Sequence, residues 1–281
     1  DLLGGVEMIE KRGPGGIIAD IIIWIIVGVL ALSCLMPLMN IVAISLSDNA
    51  AVSANLVKIL PIGLNLSSYQ EILGDMQFWR SFMISVLRVV LGLAINISLL
   101  VLTAYPLSKS PSFFNKQKVY MSFVLFAMLF SGGLIPTFMV VNSLNLTNTI
   151  WALILPGAVP LGNVILLMNA FRGVPKSLEE AAMIDGCTPL QTFFGVVFPI
   201  LKPTAITVAI LDAMHVWNDF LLPYLVIGIS TKYKTIPVVV QMLVGSNGNK
   251  DMGALMAMLV LSIIPIIIFY LTCQKYIIEG V

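Results

Sequence analysis

Asp212, His215 and Asp219 lie in one apolar stretch at spacings of i, i+3 and i+7, which sets them on one face of a helix. Trp217 and Asn218 fall between them, and Arg88 and Asn96 interrupt a second apolar stretch. Carboxylates and amides grip hydroxyl groups through paired hydrogen bonds, and aromatic rings stack on the C–H faces of sugars. Ionisable groups inside a membrane span cost about 2.5–3.5 kcal/mol each, so they persist where they pair or line a polar path. These seven residues are therefore candidates for a translocation path. The competing roles are pairing to another span or a partner permease for Asp212 or His215, pairing with an intramembrane carboxylate for Arg88, a hydrogen bond across spans for Asn96, and solvation at the lipid interface for Asp219. Catalysis has little footing. His215 is the single histidine, it has no identifiable serine partner, and the His-Glu-x-x-His zinc motif is absent. No metal site is expected, because Cys34, Cys187 and Cys273 share no ligand spacing.

A second constellation is charged. Ser177-Leu178-Glu179-Glu180-Ala181-Ala182-Met183-Ile184-Asp185-Gly186 breaks an otherwise apolar sequence. Ser177 followed by Glu180 reads as a capping box, and Glu179 and Glu180 suit the positive end of a helix dipole. Ala181 and Ala182 favour helix, and Gly186 suits a left-handed stop. Thr188, Pro189 and Gln191 then read as a second capped start, with Phe193 on its apolar surface. The pattern predicts two short surface helices joined by a tight turn, the second ending at Pro199 and Pro203.

The elements that must position these groups follow from composition. The chain has 281 residues, 59% hydrophobic and 10% charged, against about 25% charged in soluble domains. Lipid must be part of its solvent. A net charge of +1 gives nucleic-acid binding no electrostatic support. Six helical spans are predicted at roughly 17–46, 80–107, 117–141, 149–171, 203–227 and 253–274, each able to cross about 30 Å of hydrocarbon. Ser131-Gly132-Gly133 with Pro136 predicts a kink in the third. Both termini fall on one side. Nine Lys/Arg lie on that side and five on the other, which predicts a multi-pass membrane protein with cytoplasmic N- and C-termini. Trp79 and Trp151 fall near the outer interface and Tyr105, Tyr120 and Tyr276 near the inner one. The division expected is a cytoplasmic segment 1–16, a first span with outer loop 17–79, a five-helix core 80–275 and a tail 276–281. The run after residue 16 reads as a retained first span rather than a cleaved signal. The outer loop 47–79 is turn-rich and reads as ordered; the outer loop 228–252 contains Gly245-Ser246-Asn247-Gly248-Asn249, which reads as a flexible polar tip. The inner loop 172–202 carries the charged motif.

Glu180-Ala181-Ala182, three residues, Gly186, nine residues, then Val196-Val197-Phe198-Pro199 resembles the coupling loop of type I ABC importer permeases. The family pattern ends Ile-x-Leu-Pro, so Val196 and Phe198 are conservative departures. Asp185 before the glycine, Trp217-Asn218-Asp219-Phe220 and Tyr105-Pro106-Leu107-Ser108-Lys109 are similar to the carbohydrate-uptake branch. The resemblance covers about residues 80–281, and 17–79 matches that branch's extra span and loop. It implies an all-α permease of MetI-like fold forming half of a sugar import path, probable cargo being an oligosaccharide. It implies Ser177, Glu179, Glu180, Ala181, Ala182, Asp185, Gly186, Pro189 and Phe193 as the ATPase-coupling set. Partners implied are a second homologous permease, an ATPase dimer and an extracellular solute-binding protein. The chain itself holds no cofactor and no Gly-x-x-x-x-Gly-Lys-Ser/Thr motif, so Mg-ATP would belong to the ATPase partner. The rival is an ion-coupled secondary transporter using Asp212 and Asp219 as proton sites; such carriers need more spans or inverted repeats in one chain.

Overall fold

The computed structural model describes residues 14–111, 114–228, 232–245 and 252–280. Most of the segment 1–16, including Lys11 and Arg12, the loop tip Ser246–Asn249 with Lys250, and the side chains of the tail from Tyr276 onward lie outside the described residues. Among the described residues all regular structure is helical. Four helices are long and apolar enough to cross a membrane uninterrupted, and two bent pairs bring the total to six if each pair crosses once.

The chain divides into two compact units. The first comprises residues 1–69 and 251–260. Its main element is α1 (Pro14–Ser45), with its loop carrying α2 (Asn49–Ser53) and the start of α3 (Ser67–Gly74). From Ile17 to Met39 the side chains of α1 are exposed on every face, as a helix apolar all round must be when lipid is its solvent. The outer loop is ordered, as its turn residues predict. Buried Ser47 donates to Ala43 O and accepts from Ile62 N at 3.0 Å, Asp48 N donates to Ile62 O, and Asn65 N donates to Leu46 O. Gly63 makes the return with φ +65°, where a β-carbon would come within 3.1 Å of Asp48 Cβ.

The second unit comprises residues 70–250 and 261–281. Its spine is α4 (Met76–Ser108), capped by the Asp75 carboxylate on Gln77 N. One stripe of α4 is buried at helical spacing: Ser81, Ser85, Arg88, Gly92, Asn96, Leu100 and Ala104. Small and hydrogen-bonding residues let helices approach closely where lipid gives no hydrophobic drive. Next come α5 (Gln117–Leu129) and α6 (Leu134–Ser143), which bend by 114° at Phe130–Gly133. The expected kink is thus a full break, and Gly133 takes φ +87° and ψ −179°, a conformation restricted to glycine. The fourth span is also broken. α7 (Ile150–Ile154) and a 3₁₀ turn (Leu155–Gly157) meet α8 (Leu161–Gly173) at 51°, with Pro156 and Pro160 at the break. Leu100, Leu107, Val164, Leu167, Phe171, Val197 and Val208 form the core between α4, α8 and the segment after residue 189.

The charged segment and the fifth span differ most from expectation. α9 (Lys176–Ile184) is followed by α10 (Pro189–Thr192), a π-helical turn (Phe193–Val197) and α11 (Phe198–Asn218). The last three run on as one helical stretch of 30 residues. Pro199 and Pro203 do not end the second surface helix. Pro199 follows the wide π turn, which relieves the clash of its ring with the carbonyl four residues back. Thr207 Oγ1 donates to Pro203 O at 3.1 Å. The fifth span then stops at Asn218 rather than running to 227, and α12 (Leu221–Ile227) restarts after Asp219–Phe220. The loop 228–252 contains α13 (Ile236–Gly245), fastened by Ile236 N donating to Ser85 Oγ at 2.9 Å; the polar tip beyond Gly245 lies outside the described residues. The final helix is α14 (Met252–Gly280).

Candidate functional site

α9 projects between two spans. Its first residue follows Pro175, and no side chain caps it. Ser177 therefore sits inside the first turn, and the expected Ser177–Glu180 capping box is not formed; Pro175 supplies the start, accepting from Leu178 N through its own carbonyl. The stop is as expected. Gly186 has φ +82°, Cys187 N donates to Ala182 O at 3.0 Å and Gly186 N to Met183 O at 3.1 Å, the paired bonds of a Schellman ending. Two residues on, Thr188 and Gln191 form the reciprocal capping box, with Thr188 N donating to Gln191 Oε1 at 2.8 Å and Gln191 N to Thr188 Oγ1 at 3.4 Å. Pro189 occupies the first helical position. The turn is thus held by backbone bonds from both sides and joins α9 directly to the long 189–218 rod.

The faces of α9 are unlike. Ile184 is 86% exposed, and Met183, Ala181, Asp185 and Glu180 are exposed with it. Ala182 is buried, and Glu179 turns inward, its carboxylate held by Lys109 Nζ from the end of α4. The Lys109 ammonium also lies 4.3 Å from the centroid of the Tyr105 ring. Phe193 is buried among Tyr105, Phe171 and Phe198. Glu179 and Phe193 therefore fasten α9 and the start of the rod to the core and do not face outward, unlike Glu180 and Ile184.

Part of the intramembrane polar set lines a cavity of about 610 Å³. Arg88, Gly92 and Asn96 line it from α4, His215 and Asp219 from the end of α11, and the breaks at Ser131–Gly133 and Pro156–Pro160 supply further walls. Helix breaks leave backbone groups that lipid cannot satisfy, so they are tolerated where they line a polar space. Arg88 fills that need. Its Nε donates to Leu153 O at 3.0 Å, one terminal nitrogen to Val216 O at 3.0 Å and Asp219 O at 3.3 Å, and the other to Asp219 Oδ2 at 2.7 Å. Asp212 and Asn96, each 2% exposed, join through Asn96 Nδ2 donating to Asp212 Oδ2 at 2.8 Å.

The shared face of Asp212, His215 and Asp219 resolves into three environments. Asp212 is a buried link between spans, Asp219 is the ion-pair partner of Arg88, and His215 is the exposed group in the cavity. Trp217 is not in it. Trp217 is buried and packs edge-on to Phe82 at 6.4 Å, beside an apolar crevice with Pro265 and Phe269. Asn218 is exposed, and its amide donates to Met214 O. The walls at Gly133 and Gly157 were not among the candidates, although paired Gly/Pro interruptions in two apolar segments are a readable signal of a cavity. Lys109 was likewise missed as the fastening of Glu179. Among the described residues no cluster of His, Cys, Asp and Glu has a metal-binding arrangement.

Comparison with known proteins adds an independent line. A family model described as binding-protein-dependent transport system inner membrane component matches residues 82–281. The chain is 34% identical to the polygalacturonan/rhamnogalacturonan transport system permease protein YtcP of Bacillus subtilis (strain 168), over 93% of this chain and 95% of that one. It is 30% identical to the arabinooligosaccharides transport system permease protein AraQ of Halalkalibacterium halodurans, over 89% of this chain and 90% of that one. One solved structure, of a bacterial ABC transporter involved in the import of the acidic polysaccharide alginate, contains a chain that matches with a TM-score of 0.86 at 29% identity, covering 94% of this chain and 98% of that one. A chain of an alginate ABC transporter bound to its pentasaccharide-loaded periplasmic protein matches in fold, with a TM-score of 0.61 at 13% identity over 92% of this chain and 91% of that one.

Proposed function

We propose, because this chain belongs to the binding-protein-dependent transport system inner membrane component family, that it forms one half of the path through which an ATP-driven importer moves an oligosaccharide. A sister permease supplies the other half. An extracellular solute-binding protein delivers the sugar, and a dimeric ATPase that binds Mg-ATP drives the cycle. The termini and the α9 lever lie in the cytoplasm.

The observation that carries this reading is the connection between the two sites. The lever α9 turns through the Schellman and capping-box junction into a single helical stretch, Pro189–Asn218, that ends at the polar cavity. At about 1.5 Å per residue that stretch is on the order of 45 Å long. ATPase closure would push the exposed face around Glu180 and Ile184, and the rod would carry the displacement to the cavity wall. A floppy loop would absorb the same push. In the cavity His215 is the side chain placed to meet sugar hydroxyls, while Asp212 and Asp219 are committed to Asn96 and Arg88. That commitment also disfavours the ion-coupled carrier, which needs a carboxylate free to exchange protons.

The test is the double substitution Glu180→Lys with Gly186→Pro in the assembled transporter. Proline cannot adopt the φ of +82° at Gly186. The expected outcome is a chain that inserts normally, an ATPase that still hydrolyses ATP, and uptake that is lost. Uptake at the unsubstituted rate would refute the role of the lever.

A further inference from the structure

We infer that Arg88 is a positioning residue that clamps the far end of the coupling rod to the two other helices of the cavity wall, so that a push at the lever opens the cavity instead of bending the rod. The inference rests on the importer reading and assigns Arg88 a part that solute binding does not.

Arg88 is buried, and its Nε and both terminal nitrogens donate to Leu153, Val216 and Asp219. Its acceptors are specific. Leu153 is the second-last residue of α7, where that span gives way to the 3₁₀ turn. Val216 lies in the last turn of α11, and Asp219 is its C-cap. Carbonyls at these places have no partner within their own helix. One guanidinium on α4 thus closes off two broken helices at once, and its flat fork of donors suits three carbonyls and a carboxylate in a way a lysine cannot reproduce. The rod's other end begins at the Thr188 cap beside the lever. Between those ends the helix is continuous, so the Arg88 contacts are where its movement must pass to its neighbours. Asp219 neutralises the clamp in a site that lipid surrounds.

A solute-binding arginine, a plain ion pair and a clamp differ in what each substitution does. The complete transporter, with both permeases, ATPase and binding protein, is reconstituted in liposomes, and ATP hydrolysed per sugar imported is measured. For Arg88→Lys the ratio is expected to rise about tenfold, while loaded binding protein still stimulates hydrolysis. For Asp219→Asn, which keeps the backbone acceptors, the rise is about two- to threefold. Exchanging the charges, Arg88→Asp with Asp219→Arg, is expected to leave the ratio high, because the carbonyls of Leu153 and Val216 lose their donor. Rescue by that exchange, or an unchanged ratio in Arg88→Lys, would overturn the clamp. If Arg88→Lys does not assemble, Asp219→Asn decides alone, and an unchanged ratio there also overturns it. Failure of the unsubstituted complex to couple ATP to any oligosaccharide would instead sink the importer reading.

Discussion

Glu179 and Glu180 are adjacent in the chain and have opposite environments. Glu179 gives both carboxylate oxygens to Lys109, whose charge also faces the Tyr105 ring, and both side chains of the pair are 15% exposed. Glu180 is exposed on the lever's outer face. Removing one charge from the pair leaves Lys109 with a poorer acceptor. Charge-assisted hydrogen bonds contribute about 1.5–3 kcal/mol, and partial exposure reduces this to about 1 kcal/mol. Glu179→Gln is therefore expected to speed amide hydrogen exchange across residues 176–184 by about fivefold, and Glu180→Gln to leave it unchanged. Equal effects from the two would deny Glu179 its fastening role. The sequence identified both glutamates as part of one charged helix. It did not reveal which one faces inward, because that depends on the first helical residue. A Ser-x-x-Glu pattern placed the start at Ser177, and Pro175 moved it two residues earlier. The same limit applies in the cavity, where helical spacing grouped Asp212 with His215 and Asp219. Spacing cannot say that Asn96 reaches Asp212 from another span, or that the helix ends before Asp219.

At the scale of elements, hydropathy located the four uninterrupted apolar helices and the two bent pairs, since about twenty apolar residues have few other homes. Breaks were harder to read. Gly133 was visible as a kink because a glycine pair beside proline is a local signal, whereas the stop at Asn218 is marked only by Pro223, which cannot donate to Asp219 O four residues back, and its carbonyls are taken up by Arg88 from across space. The π turn at Phe193–Val197 was also hidden, and it suggests why prolines 199 and 203 sit harmlessly in a helix. That turn holds one residue more than an α-helical turn would need, and each residue rotates an α-helix by about 100°. Deleting Gly195, whose Cβ position meets no neighbour within 4 Å, should convert the turn to regular helix and swing α9 by about 100° relative to α11. The chain should still insert, but crosslinks between position 184 and the ATPase should disappear, and uptake with them. Persistence of those crosslinks would mean that the π turn does not set the lever's direction.

For the whole molecule, the sequence motif and the family match agree on an inner-membrane permease. Direction across the membrane rests on charge. Lys109, Lys116, Lys118, Arg172, Lys176 and Lys202 all flank the lever side, and basic residues favour the cytoplasmic face. Cys187 offers a direct reading, because it lies at the lever's turn and is half-buried, whereas Cys34 and Cys273 belong to the long apolar helices α1 and α14. With Cys34→Ala and Cys273→Ala in place, a membrane-impermeant maleimide is expected to label Cys187 in inside-out vesicles and not in intact spheroplasts. Adding the ATPase to inside-out vesicles should then slow that labelling severalfold, since a protein seated over Glu180 and Ile184 covers the turn two residues beyond Asp185. Labelling from the outside would reverse the topology, and with it every role assigned to the lever. Labelling from the inside at a rate indifferent to the ATPase would leave the lever in the cytoplasm but without the partner that moves it.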